Sequence, residues 1–187
     1  TEAVQEQTSP DTTDNSLVDQ AVTLEVNNYF DDQKQIDEGL MAEAGKKYSF
    51  EEPLLIVNPY GNSPLTAVAI FSTDSKIGGK ITVKGKAEED DIKGTFAADT
   101  DHIVPIYGLY PASTTEVILT LDDGRSTTVK ISTDAIDMDT SGIQVQMNSP
   151  SDYDYSKLTF VMGLNGYLYA VDSKGDVRWC MKKNGDR

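Results

Sequence analysis

The chain has 187 residues, a mass of 20.4 kDa and a formal net charge of −15, from 31 acidic and 16 basic residues. Its apolar fraction of 38% is enough for the core of one domain with a smaller adjoining unit. The excess of negative charge opposes contact with nucleic acid and with anionic lipid, so we expect neither as a partner. The single cysteine, Cys180, excludes an internal disulfide, and the single histidine, His102, excludes a histidine-based metal cluster.

The first fifteen residues are small, polar or acidic, apart from Ala3 and Val4. Such a segment cannot bury enough apolar surface to offset the entropy lost on ordering, so residues 1–15 are predicted to be a disordered acidic leader. A tether of this kind often follows a removed export signal. We therefore expect an exported protein, either periplasmic or extracellular, with a lipid anchor at the cell surface as one form. The longest apolar run, Ala67–Phe71, is too short for a membrane-spanning helix.

Residues 16–47 show a helical pattern. Apolar side chains recur at steps of three and four residues, at Val18, Val22, Val26, Tyr29, Ile36 and Leu40. Gly45 predicts the end of this amphipathic helix, because glycine readily adopts the left-handed conformation. Two alternatives stay open: Val22–Val26 is β-branched enough for a strand, and Asn27 and Gly39 can divide the helix in two. We expect the helix to pack on the core rather than to dock on a partner surface.

Between residues 48 and 134 the apolar period changes to two, which is typical of strands. Seven short strands separated by Gly, Pro, Asn and Asp are predicted: Leu54–Asn58, Leu65–Ser72, Lys80–Lys86, Ile92–Ala97, Ile103–Leu109, Glu116–Leu121 and Ser126–Ser132. Seven such strands favour an immunoglobulin-like β-sandwich, and the fold class is therefore mainly β. The usual Cys, Trp and Cys pattern of antibody domains is missing.

Two local patterns in this region give sharper expectations. In Lys80–Lys86 the alternation of apolar and polar residues places Ile81 and Val83 inside and the residues between and beside them outside. Asp123-Gly124 lies between two alternating runs and predicts a two-residue hairpin turn in which both residues have positive φ.

A different unit is predicted from residue 158 onward. Leu158–Met162 is one strand, and Tyr167–Val171 and Val177–Met181 form a hairpin with Gly175 in its turn. Three aromatic-rich strands of this kind are typical of a β-propeller blade, which has four strands. One blade cannot bury both faces alone, so we expect residues 158–187 to be a partial propeller blade and the sequence to be a fragment. Residues 135–157 then form an acidic linker.

Three features could carry chemistry, and each has a plainer interpretation that we favour. Asp137–Gly142 partly matches a calcium loop, but the twelfth position is Asn148 instead of a bidentate Glu, so an acidic linker is favoured. His102 could act as a general base, yet it lies in an acidic turn with no nucleophile fixed by spacing, which favours an ordinary surface histidine. Cys180 beside Trp179 is interpreted as a buried strand residue rather than a reactive thiol.

The run Ser151–Ser156 alternates aspartate and tyrosine. It could present tyrosines to a sugar or a partner, although such a run more often covers an adjoining domain. On the residues alone, no catalytic, cofactor-binding or metal-binding residue is assigned, and no cofactor is expected.

Four segments resemble the bacterial aryl-sulfate sulfotransferases (arylsulfotransferases). They are Asn58–Ala67 (NPYGNSPLTA), Val83–Lys86 (VKGK), Pro105–Tyr110 (PIYGLY) and Val171–Trp179 (VDSKGDVRW), and their order and spacing agree with that family. The resemblance runs from about Glu52 to the end of the chain and does not extend to the leader or the helical segment.

The resemblance implies an N-terminal β-sandwich followed by the start of a six-bladed propeller. It also implies an exported enzyme that moves a sulfuryl group from a phenolic sulfate donor to a phenol acceptor. In that family a propeller histidine carries the group, and the corresponding position would lie beyond Arg187. No catalytic residue can therefore be transferred to this sequence, and the chain by itself is expected to be inactive. The resemblance gives structural roles to Pro59-Tyr60-Gly61, as a turn, and to Gly108, as a bend.

Two functional hypotheses remain. The first is an accessory domain of a sulfotransferase, whose partner is the remainder of the propeller. The second is a non-catalytic immunoglobulin-like binding or adhesion module with a β-rich extension. A homo-oligomer is compatible with both. The resemblance favours the first hypothesis.

Overall fold

A computed structural model of the chain describes residues 16–140, 142–143, 157–162 and 167–182. The predicted leader (1–15), the Asp–Tyr run and most of the predicted linker lie outside the described residues. The chain divides into two units, residues 1–37 and 38–187, each described by itself. The elements in chain order are α1 Ser16–Ala44, β1 Leu54–Val57, β2 Thr66–Val83, a short 3-10 helix Glu88–Asp90, β3 Ile92–Tyr107, β4 Thr114–Leu121, β5 Ser126–Ser132, β6 Thr159–Met162, β7 Tyr167–Val171 and β8 Val177–Lys182.

Among the described residues α1 is the one α-helix. It precedes the described strands and is continuous, so the strand alternative and the division into two helices are both wrong. The helix ends at Ala44, directly before Gly45, as predicted. The Gly45 amide donates a helical hydrogen bond to the Met41 carbonyl at 3.2 Å, but the left-handed residue is Lys47, with a φ of 61°, and not the glycine. None of the described helices is both long and apolar enough to cross a bilayer.

The first five strands form one antiparallel sheet. β2 pairs with β1, with β4 and with β3, and β4 pairs in turn with β5. The neighbours of β2 change along its length: residues 67–70 pair with β1, residues 79–83 pair with β4, and both stretches pair with β3 on the other side. Because the two halves of β2 have different neighbours, one continuous sheet can fold over on itself and enclose a core. Some β-sandwiches do the same with strands that begin in one sheet and end in the other.

The prediction of seven separate strands is wrong in two places. Leu65–Ser72 and Lys80–Lys86 belong to the single strand β2, and Ile92–Ala97 and Ile103–Leu109 belong to β3. The polar residues and glycines that suggested a turn in β2 instead occupy register shifts against β3, between Ser72 and Gly79. Gly79 is required by close approach rather than by a turn, because a Cβ there would lie 2.4 Å from the Phe96 ring.

The β4–β5 hairpin is present, but its turn differs from the prediction. Only Gly124 has positive φ, at 92°. The Gly124 amide donates to the Leu121 carbonyl at 2.9 Å, and the Leu121 amide donates to the Arg125 carbonyl at 2.9 Å. The connection is thus a three-residue loop, a tight turn followed by one left-handed residue, in which a single glycine is sufficient.

The core lies inside the five-stranded sheet. Its buried members include Leu65, Ala69, Phe71, Ile81, Val83, Val104, Ile106, Leu109, Val117, Leu119, Leu121 and Ile131. Aromatic rings pack around Phe71, with Phe50 edge-on at 5.2 Å and Phe96 edge-on at 5.9 Å between ring centroids. Ile81 and Val83 are both buried whereas Lys80 is exposed, which confirms the predicted register of this segment.

The last three strands form a second antiparallel sheet in the order β6-β7-β8. The β7–β8 hairpin is present as predicted, and its turn closes through the Gly175 amide, which donates to the Asp172 carbonyl at 3.1 Å. Val171, Val177 and Cys180 join the same hydrophobic core as the five-stranded sheet. On the opposite face, Phe160 and Met162 are 64% and 84% exposed.

Candidate functional site at the joint between the two sheets

The two sheets meet through a buried arginine, Arg178, which β8 supplies. Its side chain has 0% relative exposure. The guanidinium Nε donates to the Gly108 carbonyl at 2.8 Å, and Nη1 donates to the Asp90 carbonyl at 3.1 Å and to the Tyr110 hydroxyl at 2.9 Å. Nη1 also lies 3.3 Å from a carboxylate oxygen of Asp172. Three of these four acceptors come from the five-stranded sheet and its loops, so the arginine links that sheet to the hairpin.

The Tyr110 side chain is part of the receptor for this arginine. The centre of the Arg178 guanidinium lies 3.9 Å from the Tyr110 ring centroid, a cation–π contact. The same hydroxyl that accepts from Arg178 also accepts from the Lys86 amide at 3.1 Å. Burial raises the pKa of the Tyr110 hydroxyl. Arg178 Nη2 is the one buried side-chain polar atom without a hydrogen-bond partner among the described residues, and the aromatic face offsets part of that loss.

Asp172 joins the arginine to the hairpin turn. One oxygen of its carboxylate accepts from the Lys174 and Asp176 amides, both at 3.0 Å, and the other oxygen faces Arg178. The side chain is 2% exposed. Since amide donors and a guanidinium surround both oxygens, the buried carboxylate is satisfied, and the geometry of the turn fixes its position.

Ion pairs surround the buried centre. Lys174 pairs with Asp90 at 2.5 Å, and Lys86 pairs with Asp176 at 2.7 Å, so each of these pairs crosses between the two sheets. The hydrogen bond to its aspartate is the main cause that raises the pKa of each lysine. We call the group of Asp90, Gly108, Tyr110, Asp172 and Arg178, with these two rim pairs, the Arg178 joint.

The loop after β1 makes a further contact with the terminal sheet. The Ser63 hydroxyl donates to the Cys180 carbonyl at 3.1 Å. The loop itself is held by Asn58, whose side-chain oxygen accepts from the Ser63 amide at 2.9 Å and whose carbonyl accepts from the Gly61 amide at 3.0 Å. Gly61 has a φ of 72°, which confirms the turn expected at Pro59-Tyr60-Gly61.

His102 is buried, and the expectation of a surface histidine is wrong. It is 4% exposed and lies in the middle of β3, where its ring stacks on Phe71 at 4.5 Å and meets Phe96 edge-on at 5.5 Å. Burial is the main cause that lowers the pKa of the imidazole. Strand alternation turns this side chain inward together with Val104 and Ile106, while the acidic residues before it lie nearer to solvent.

The polar contact of His102 does not form a nucleophile–base pair. The Thr73 hydroxyl lies 3.4 Å from Nε2 and donates to the Ser75 carbonyl at 2.9 Å. A base would have to accept the hydroxyl proton, which is already directed at that carbonyl. The contact therefore stabilises the β2 irregularity and is not arranged for proton transfer from the hydroxyl.

Cys180 is buried in β8, as predicted. Its relative exposure is 2%, and burial raises the pKa of the thiol to about 11. A thiol in that state holds its proton at neutral pH, so this side chain is a packing residue and not a nucleophile.

The proposed calcium loop is described only in part. Asp137 and Asp139 lie within the described residues, whereas the twelfth position, Asn148, lies outside them. Among the described residues there is no group of three or more carboxylate, imidazole or thiol side chains that could hold a metal ion.

An open cleft of about 550 Å³ lies beside β2 and is lined mainly by residues 47–51 and 72–74. Its two cations are already paired: Lys47 with Asp101 at 2.5 Å, and Arg125 with Asp123 at 2.9 Å. The hydrogen bonds from these cations contribute to lowering the pKa of both aspartates. Because both cations are already paired with aspartates, the cleft has no feature that favours an anionic ligand.

Sequence reasoning missed the Arg178 joint, although a signal for it was present. Arg178 lies two residues before Cys180, which is predicted to be buried, so strand alternation places both side chains on the same face, where a charged residue must have buried partners. Tyr110, Gly108 and Asp172 all lie within segments that had been singled out only for resemblance. Nothing in their spacing showed that these segments meet.

Comparison with known protein families gives the domain its identity. Residues 54–141 match the family described as the arylsulfotransferase Ig-like domain. Residues 54–141 are an arylsulfotransferase Ig-like domain. The match covers β1 to β5, and three of the four resembling segments lie inside it. No curated protein matches the chain.

Three of the four resembling segments meet at the Arg178 joint, and the fourth contacts the terminal sheet beside it. Asn58–Ala67 supplies Ser63, Val83–Lys86 supplies the amide and ammonium of Lys86, Pro105–Tyr110 supplies Gly108 and Tyr110, and Val171–Trp179 supplies Asp172 and Arg178. Each of the three resembling segments inside the Ig-like domain therefore contributes at least one residue to the contact with the terminal sheet.

Proposed function

We propose that this chain is the N-terminal, non-catalytic part of an exported aryl-sulfate sulfotransferase. In this proposal a histidine beyond Arg187 carries the sulfuryl group from a phenolic sulfate to a phenol. The observation that carries the proposal is that three of the four family-like segments meet at the Arg178 joint, while the fourth contacts the terminal sheet through Ser63. A joint of this kind positions the strands that follow it. The Ig-like domain then serves as a fixed base for the first blade of a propeller.

The exposed face of the terminal sheet is the evidence that the remainder of the propeller is the partner of this chain. Its inner face packs into the core of the Ig-like domain through Val171 and Val177, whereas Phe160 and Met162 on the outer face are 64% and 84% exposed. The ring centroids of Phe160 and Trp179 lie 5.6 Å apart, so the outer face carries a contiguous aromatic surface. Three strands with one covered face are an incomplete blade, and in this proposal later propeller strands cover the other face.

The described residues provide binding and positioning rather than chemistry. Sulfuryl transfer needs a nucleophile and donors that stabilise the charge on the departing phenolate. The chain's one histidine is enclosed by Phe71 and Phe96, and Arg178 is enclosed within the joint. The phenolic sulfate donor and the phenol acceptor are therefore proposed as partners of the longer enzyme, while the charge of −15 disfavours nucleic acid.

The test is to express the full reading frame that contains this sequence and to assay it beside the 187-residue chain. Release of a chromogenic phenolate from its sulfate ester, dependent on an acceptor phenol, is expected for the longer protein and not for the chain alone. His102→Phe in the longer protein should retain turnover, whereas substitution of a histidine encoded after Arg187 should abolish it. A reading frame that encodes no propeller, or a longer protein without transfer activity, would contradict the proposal and favour the binding or adhesion module.

Export has its own measurement. Fractionation of the native host should place the protein outside the cytoplasm, in the periplasm or at the cell surface. Recovery of the mature protein in the cytoplasm alone would contradict the export proposal without affecting the assignment of the domain.

A further inference from the structure

We propose that the Ig-like domain is a folding template for the terminal sheet: its Arg178 receptor orders the β7–β8 hairpin, while the domain itself does not depend on that hairpin. The receptor surface is formed by Asp90, Gly108 and Tyr110, and the partner that fits it is a β-hairpin carrying an arginine beside a carboxylate-closed turn. This inference concerns which part of the chain orders the other, and it does not depend on the proposed enzymatic role.

The first argument is the size of the terminal sheet. β6, β7 and β8 contain four, five and six residues. A sheet this small needs a hydrophobic partner to be stable in water. One of its faces obtains that partner from the Ig-like core, whereas Phe160 and Met162 on the other face are exposed. The covered face therefore supplies most of the burial that holds the sheet together.

The second argument is the asymmetry of the hydrogen bonds around Arg178. The hairpin itself supplies one acceptor, Asp172, and the Ig-like domain supplies the other three. Away from the domain, the guanidinium would return to water. Docked without those acceptors, it would be a buried charge with most of its donors unpaired, which strongly opposes docking. The arginine thus permits the hairpin to dock on this receptor and disfavours docking of the hairpin elsewhere on the domain.

The third argument is that the Ig-like domain is largely complete without the hairpin. Its strand pairs β1–β2, β2–β3, β2–β4 and β4–β5 are all internal. The loop that carries the receptor is also tied internally: Asp91 accepts from the Gly85 amide at 2.8 Å and pairs with Lys84 at 2.5 Å. Because domains nearer the N-terminus emerge first during synthesis, the receptor can be in place when the hairpin appears.

Hydrogen exchange of the 187-residue chain tests the proposal, read by mass spectrometry on peptides from β2 and from β7–β8. Arg178→Met keeps an unbranched side chain as far as the Nε position and removes the guanidinium donors. We expect the β7–β8 amides to lose about 100-fold in protection, while the β2 amides exchange as in the wild type. Tyr110→Phe, which removes one acceptor, should act in the same direction with a smaller loss.

Lys130→Met is the matched control, because it removes the cation of an exposed ion pair, with Glu116, that lies outside the joint. Protection of both sets of peptides should stay within about threefold of wild type, since exposed ion pairs contribute little. Gly175→Val disrupts the hairpin turn directly and should expose β7–β8 while β2 remains protected.

Two results would overturn the proposal. If Arg178→Met leaves β7–β8 as protected as in the wild type, the arginine does not order the hairpin. If Arg178→Met or Gly175→Val also removes protection from β2, including by failure of the whole chain to fold, the domain depends on the hairpin and is not its template. Neither result bears on sulfuryl transfer by the longer protein, so the two proposals fail separately.

Discussion

At the scale of single residues, His102 shows how neighbouring charges can mislead. Asp99 and Asp101 suggested an exposed acidic turn, yet His102 lies on the buried face of β3 with Val104 and Ile106. The alternation of these three residues at a period of two was visible in the sequence and predicted burial. The acidic neighbour Asp101 does not oppose this burial, because adjacent strand residues point to opposite faces.

The burial of His102 predicts a pH dependence of stability. Its pKa is lowered in the folded state, mainly by burial, so the unfolded chain takes up the proton more readily than the folded chain. The contribution to stability is complete above the unfolded pKa of about 6.5 and is lost as the pH falls from there through the lowered folded pKa. We expect the melting temperature to drop between pH 7 and pH 5.

His102→Phe should flatten this pH dependence while keeping an aromatic ring between Phe71 and Phe96. Because the chain has one histidine, no other side chain has an unperturbed pKa between pH 5 and pH 8. A variant that keeps the wild-type fall in melting temperature between pH 7 and pH 5 would show that the imidazole is not its source.

Ile81 tests the register of β2. Its side chain is 8% exposed and belongs to the core, so Ile81→Ala should reduce the free energy of unfolding by about 2–5 kcal/mol. Lys80→Ala, on the exposed face of the same strand, should change it by less than about 0.5 kcal/mol. Urea unfolding followed by circular dichroism gives both values. Equal effects of the two substitutions would contradict the register.

At the scale of elements, the positions of the hairpin turns were predicted correctly, whereas the geometry of the β4–β5 turn was not. A glycine in the hairpin loops at Asp122–Gly124 and Asp172–Gly175 was expected, and both hairpins are present. The long strands were not predicted, because the polar and glycine residues inside β2 have the composition of a turn. Only the pairing with β3 shows that the chain continues through them.

A comparison of two glycines with similar φ values distinguishes the effect of backbone strain from the effect of close packing. Gly124 and Gly108 have φ of 92° and 90°, but a Cβ on Gly124 meets nothing within 4 Å, whereas one on Gly108 would lie 2.2 Å from Ile92 Cδ1. Gly124→Ala should destabilise by about 1–2 kcal/mol from the backbone alone. Gly108→Ala should cost roughly 1–3 kcal/mol more, because Ile92 must move.

Thermal unfolding of both variants measures this difference. If Gly108→Ala is no more destabilising than Gly124→Ala, the contact with Ile92 does not constrain the end of β3.

At the scale of the whole molecule, the acidic surface predicts an unspecific response to divalent cations. Screening of a net charge of −15 should stabilise the chain, so calcium and magnesium at equal ionic strength are expected to raise the melting temperature equally. Tryptophan fluorescence should show no separate calcium transition. A micromolar transition with calcium alone, abolished by Asp137→Ala, would establish the calcium loop that the sequence analysis set aside.

The sequence by itself determined the mainly β class, the burial of Ile81 and Val83, the β7–β8 hairpin and the resemblance, from about Glu52 onward, to the arylsulfotransferases. These follow from local alternation, turn residues and short motifs, which are properties of neighbouring residues. Only the tertiary structure decided that β2 and β3 are continuous and that Gly108, Tyr110, Asp172 and Arg178 form one joint. The partners of Arg178 are separated from it by as many as 88 residues, and a contact at that range depends on how the sheets pack rather than on any pattern along the chain.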